Sequence, residues 1–269
     1  MRSEERPIAA PIPSRFSVDA LRQRCLPLRA LWEGILDLIY PPVCLICERW
    51  DRPPVCADCY AAFLPIPEPV CPRCGRPNLP ETVCRICSEQ EAAGGWSFDS
   101  ARAAGVYAGP LREAIHKLKF RSEEPLGPLL GAYLTDRCVV DSLFAETVLG
   151  RLDGVVPVPL HPRRKRQRGY NQAELLAKPL AEMLGKPLHS DLLVRSVQTA
   201  PQVGLSGKER RLNLTAGAFT VSRPAEVAQR HYLLVDDVFT TGITVNACAA
   251  ALKEAGAASV VVVTLAAGG

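Results

Sequence analysis

The stretch from His231 to Thr244, HYLLVDDVFTTGIT, restricts what this chain can fold into more than any other part of it. Leu233, Leu234 and Val235 form an apolar run bounded by charge, the pattern of a strand buried on both faces of a parallel sheet. Asp236 and Asp237 stand at its carboxyl end, and Thr240, Thr241, Gly242 and Thr244 make a hydroxyl-rich turn. Ile243, Ala247, Ala250, Ala251 and Leu252 then recur at helical spacing, with Gly256 as the stop. Strand, acidic tip, tight turn and helix start predict a βα unit of an α/β protein.

Such a turn favours an anion. Backbone N–H groups at a helix N-terminus lack intrahelical partners, and the helix dipole adds partial positive charge there. Gly242 lets the backbone come close to a phosphate, and the threonine hydroxyls can donate to its remaining oxygens. Asp236 and Asp237 would repel that phosphate, so they must face sugar hydroxyls or a cation such as Mg²⁺. A ribose 5-phosphate satisfies both ends.

Val235-Asp236-Asp237, three residues, then Thr241-Gly242-x-Thr244 resembles the phosphoribosyl pyrophosphate (PRPP) motif of type I phosphoribosyltransferases. The resemblance implies that Asp236 and Asp237 hold the ribose hydroxyls at the catalytic centre. Thr240, Thr241, Gly242 and Thr244 would hold the 5-phosphate, with Mg²⁺ accompanying PRPP.

The cysteines are the second signal. Eight of the eleven fall in four C-x-x-C pairs: Cys44/Cys47, Cys56/Cys59, Cys71/Cys74 and Cys84/Cys87. Each pair can present two thiolates to one tetrahedral ion, and the intervals of eight, eleven and nine residues suit two successive ribbons. Two structural Zn²⁺ sites are expected, with the pairing of the knuckles left open. Disulfides do not suit a chain that opens without an apolar leader, and a redox C-x-x-C would occur once beside a βαβ unit. Loss of zinc is expected to unfold the ribbon module and spare the rest. Cys25, Cys138 and Cys248 lie in helical patterns and read as core.

Zinc changes the meaning of the net charge. The formal +4 counts cysteine as neutral; eight thiolates and two Zn²⁺ ions bring the loaded chain close to zero, so overall basicity is no argument for nucleic acid. No apolar run approaches the ~20 residues that span a bilayer, so no membrane insertion is expected and the location is read as cytoplasmic.

The chain divides accordingly. Residues 1–17 read as a disordered, proline-containing tail and 18–40 as an amphipathic helix carrying Leu21, Leu28, Trp32 and Ile35. The double zinc ribbon takes 41–90 and the α/β domain 96–269. Within the latter, 97–107 alternates like an edge strand. Residues 111–120 form an amphipathic helix on which His116 is a surface residue, and 126–148 a helix interrupted near Pro128.

Residues 153–160, DGVVPVPL, give the first strong core strand, followed by Arg163, Arg164, Lys165, Arg166 and Arg168 with no acidic partner. A cluster in that position serves either as a pyrophosphate clamp or as a nucleic-acid patch. VPVPLHPRRKRQRGYNQAELLA and TAPQVGLSGKERRLNLTAGAF resemble the competence protein ComF family, which also carries an N-terminal double zinc ribbon. The family's order of segments covers residues 35 to 269. Thr199, Gln202, Leu205, Arg210 and Asn213 match its mobile loop over PRPP, and Arg168 to Gln172 its signature after the first strand. The fold implied is α/β: a type I phosphoribosyltransferase-like parallel sheet with helices on both faces, plus a small double zinc-ribbon module.

Two function classes follow. One is a phosphoribosyltransferase in which Arg163 and Arg168 receive the leaving pyrophosphate while Gln202 and Arg210 help to close the site. The other is a non-catalytic component of DNA uptake in natural transformation, which the resemblance implies, with single-stranded DNA and a competence helicase as partners.

Overall fold

A computed structural model describes residues 42–51, 54–78, 82–140, 149–195 and 217–268. Residues 1–42 and 43–269 are separate units, and the second is taken by itself. Its elements run α1 (Ala57–Ala61), α2 (Arg85–Ala92), β1 (Ser100–Val106), α3 (Gly109–Phe120) and α4 (Leu126–Val140). They continue with β2 (Gly154–Pro157), α5 (Pro162–Arg168), α6 (Gln172–Leu184), β3 (Leu193–Arg195) and β4 (Phe219–Val221). The chain closes with β5 (His231–Phe239), α7 (Ile243–Glu254) and β6 (Ser259–Ala267).

β1, β6, β5 and β2 form a four-stranded sheet in that order, parallel throughout. The two central strands are the most apolar, as burial on both faces requires. Leu233, Val235, Val261 and Val263 enter one core cluster, and Tyr232, Leu234, Val260 and Val262 the other. Helices α3, α4 and α6 cover the first face through residues such as Leu111, Leu118, Leu130 and Leu176. Helix α7 covers the second through Val245, Cys248 and Leu252. Cys138 and Cys248 are buried, as a core reading requires, whereas Cys25, the tail and the amphipathic helix lie outside the described residues. β3 and β4 pair separately as an antiparallel ribbon.

Pro128 does not interrupt α4. It falls in the first turn, where a missing N–H takes nothing from the helical ladder. Instead, α4 approaches α6 closely at Gly131, where a Cβ would lie 2.8 Å from Pro179. No helix among the described residues is long and apolar enough to cross a membrane.

The cysteine module is built into this framework more deeply than its sequence position suggests. Cys44, Cys56 and Cys59 belong to the first core cluster, and Cys71, Cys74, Cys84 and Cys87 to the second. Between them the chain runs along the outer side of β1: Val106 donates to the Leu64 carbonyl and Ala101 to the Arg73 carbonyl, each at 2.8 Å. An exposed strand edge is thereby covered.

Candidate functional site

The central crevice exists because β2 is shorter than β5. Their ladder ends at Pro157 opposite Val235, with one more bond from Val158 N–H to the Val235 carbonyl, while β5 runs on beside β6 to Phe239. Beyond Val235 the β2 side of β5 is open. Helix α6, which follows β2 and the short α5, packs chiefly on one face of the sheet and α7, after β5, on the other, and crevices of α/β sheets form where connections diverge in this way. A cleft of about 530 Å³ opens here, lined by Asp236, Asp237, Lys119, Arg164, Arg168, Gln172 and Arg195 among others.

The acid pair lies two residues inside the end of β5, not at its tip. Asp236 is 9% exposed and Asp237 4% exposed. Asp237 accepts from Lys119 Nζ at 2.6 Å and from Gln172 Nε2 at 2.8 Å, and Arg168 donates to Gln172 Oε1 behind it. Asp236 Oδ1 accepts the Asp237 N–H at 2.8 Å. Burial, and then the neighbouring Asp237 charge, push the Asp236 carboxyl up to about 8. Two carboxylates this close and this dry call for additional positive charge.

The turn has the predicted form. Gly242 adopts φ +80° and caps α7 without a side chain of its own, and Thr241 Oγ1 accepts the Ile243 N–H at a long 3.5 Å. A Cβ there would also sit 2.9 Å from Phe239 and 3.2 Å from Trp96, so glycine is required twice over. Thr240, Thr241, Gly242 and Thr244 line a smaller recess, which shares Asp236 and Thr244 with the main cleft. The glycine-led helix start can therefore hold an anion directly beside the acids.

The cationic rim differs in detail from expectation. Residues 162–168 form a short helix of their own, and its phase turns Arg164, Gln167 and Arg168 into the cleft while Arg163 is exposed and outside its lining. The expectation that Arg163 lines the site beside Arg168 is therefore corrected: helical rotation brings Arg164 to the cleft instead. Gln202 and Arg210, with the rest of the loop 199–213, lie outside the described residues. Lys119 and Arg195 escaped the sequence reading. Lys119 follows the buried residues Leu111, Ile115 and Leu118 of α3, a periodicity that marks the helix end but not what it faces. His116 is exposed, as expected.

The metal centres pair sequentially. The sulfur atoms of Cys44, Cys47, Cys56 and Cys59 lie within 4.8 Å of one another, as do those of Cys71, Cys74, Cys84 and Cys87. Main-chain N–H groups point at the sulfurs: Ile46 and Cys56 at Cys44, Cys59 at Cys56, and Cys84 at Cys71, all at 3.4 Å. Donation from Arg49 holds the Cys47 thiol down at about 6. Four converging sulfurs whose charge is met by N–H donors suit tetrahedral Zn²⁺, so both tetrads fit structural zinc.

Fold and site together define a phosphoribosyltransferase-type α/β protein fused to a double zinc ribbon. Comparison with known families agrees in both parts: a double zinc ribbon domain matches residues 35–90 and a phosphoribosyl transferase domain residues 171–269. The chain is 33% identical over 235 residues to "DNA utilization protein YhgH" of Escherichia coli (strain K12), covering 83% of this chain and 96% of that one. It is 35% identical over 190 residues to "Competence protein F" of Haemophilus influenzae, covering 70% and 80%. It is 29% identical over 207 residues to "Competence protein ComFC" of Bacillus subtilis, covering 76% and 80%. The chain belongs to the ComF family of competence protein F-like proteins.

Proposed function

We propose that this protein binds PRPP with Mg²⁺ and transfers or holds its 5-phosphoribosyl group. The observation that carries this reading is the shared wall of the two recesses: a buried acid pair and a glycine-led helix start meet at Asp236 and Thr244. The 5-phosphate sits at Thr240 to Thr244, and Asp236 and Asp237 meet the ribose hydroxyls. Lys119, which neutralises Asp237 in the free protein, then lies next to the sugar. Arg164 and Arg168 face the pyrophosphate. As the bond from the anomeric carbon to pyrophosphate breaks and an acceptor bonds to that carbon, the carboxylates stabilise positive charge on the sugar. Mg²⁺ bound with PRPP would draw charge off the leaving pyrophosphate.

Calorimetric titration tests this. PRPP with Mg²⁺ should bind the full chain, and Asp236→Asn with Asp237→Asn should abolish binding while zinc content and circular dichroism stay unchanged. Unaltered affinity in the double variant would refute the assignment.

A second reading has its own observation. Helix α5 exposes Arg163, Lys165 and Arg166 away from the cleft, and relatives carry names that speak of competence and DNA utilization. Here the protein contacts single-stranded DNA, or a helicase partner in the cytoplasm, without turnover. Fluorescent single-stranded DNA should then bind with a steep salt dependence, and the binding should persist in the double Asp variant. No shift at low salt counts against it.

A further inference from the structure

Arg76 belongs to the third cysteine knuckle, Cys71/Cys74, far in sequence from the phosphate loop. Its carbonyl accepts the Cys71 N–H at 2.7 Å, closing the knuckle that presents Cys71 and Cys74 to their metal site. The knuckle is anchored to the sheet edge by the bond from Ala101 to Arg73. From this fixed base the Arg76 guanidinium lies over the Phe239 ring, 5.3 Å from its centroid, and Nη2 donates to the Thr240 carbonyl. Its Nη1 is buried and has no hydrogen-bond partner.

A second strut reaches the same loop. Trp96 Nε1 donates to Cys87 Sγ at 3.4 Å, and its indole stacks on Phe98 with centroids 5.0 Å apart. The same indole bounds the space at Gly242. Ser97 N–H donates to Asn246 Oδ1 in the first turn of α7 at 2.7 Å. Two side chains tied to the Cys71–Cys87 tetrad thus brace both ends of the turn.

We propose that Arg76 is a positioning residue for the 5-phosphate loop, and that the Cys71/Cys74 knuckle of the second tetrad is the base from which it acts. The inference rests on the PRPP reading for its ligand but not for its geometry. In a planar trans peptide the C=O and the following N–H point in opposite directions. Holding the Thr240 carbonyl toward Arg76 therefore turns the Thr241 N–H away from the ribbon, where it is free to serve an anion. The guanidinium also places a full positive charge against the loop, adding to the helix dipole. A loop without this brace would have to order itself when phosphate arrives, and affinity would fall by that ordering.

The test uses the zinc-loaded full chain with Arg76→Met and Arg76→Lys. Ribose 5-phosphate and inorganic pyrophosphate, each with Mg²⁺, are titrated separately, and hydrogen exchange is followed at residues 240–244 without ligand. Arg76→Met should weaken ribose 5-phosphate binding by roughly tenfold or more, leave pyrophosphate affinity unchanged, and speed exchange of the loop amides at full zinc content. Arg76→Lys, which keeps one donor and the charge, should recover part of the loss. Equal weakening of both ligands, or a loss that tracks zinc, would overturn the proposal, as would unchanged binding and exchange. If wild-type protein binds no ribose 5-phosphate, the PRPP reading fails. Exchange at the loop then decides the fate of Arg76 alone.

Discussion

Replacing Asp236 by Asn should make the fold more stable while removing PRPP binding. The side chain is 9% exposed, and its carboxyl is held at about 8 by burial and by Asp237 against an ordinary 3.8. Between those two values the folded chain keeps a proton that the unfolded chain releases, so wild-type stability falls as pH rises from about 4 to about 8. At pH 7 a rigid site would lose about 4 kcal/mol in this way. Water at the open cleft and adjustment of Lys119 screen the group and leave ~1–3 kcal/mol. Asparagine carries no such penalty, and its Oδ1 can still accept the Asp237 N–H. The gain corresponds to a rise of about 2–10 °C in melting temperature for a domain of this size. Thermal melts of Asp236→Asn and wild type at pH 5, 6, 7 and 8 should show a gap that widens across the series and levels off above pH 8. A variant that melts at or below wild type at every pH, or a constant gap, would refute the reasoning. The acid would then not be held under strain for a ligand.

Four further outcomes are expected. Lys119→Met should destabilise the protein by about 2 kcal/mol, and by clearly less when Asp237 is already Asn; additive losses in the double-mutant cycle would mean that the 2.6 Å pair carries no coupling. Gly242→Ala, forced to φ +80° against Phe239 and Trp96, should cost about 1–3 kcal/mol and abolish phosphate binding; retained affinity would argue against a phosphate at this turn. Arg164→Ala with Arg168→Ala should weaken PRPP binding while Arg163→Ala leaves it intact, and equal losses would contradict the orientation of α5. Chelation of zinc should lower the melting temperature of the α/β domain itself in one transition, because each tetrad belongs to one of the two core clusters. An α/β transition unmoved by chelator would restore the simpler expectation that only the ribbon unfolds.

Much of the site can be read from the chain because its pieces are local. A strand, two acids and a TG-x-T turn are contiguous, so hydrophobic periodicity and backbone sterics at Gly242 specify their relative placement within a few residues. The C-x-x-C pairs are equally local, since two thiolates on one knuckle need only a tight turn to converge on an ion. The pairing of knuckles is already less local, and the structure settled it as Cys44/Cys47 with Cys56/Cys59 and Cys71/Cys74 with Cys84/Cys87.

What the amino-acid sequence determined by itself is therefore the chemistry of single segments: paired acids next to a glycine-led, hydroxyl-rich turn, and four knuckles that each present two thiolates. Only the tertiary structure decided what those segments face. Lys119 meets Asp237 because α3 ends over β5, and Arg164 displaces Arg163 because the basic run coils into a helix. Arg76 reaches Thr240 because the ribbon is seated along β1. These side chains come from separate elements, and their meeting depends on how the two faces of the sheet are packed, which no periodicity within one element encodes.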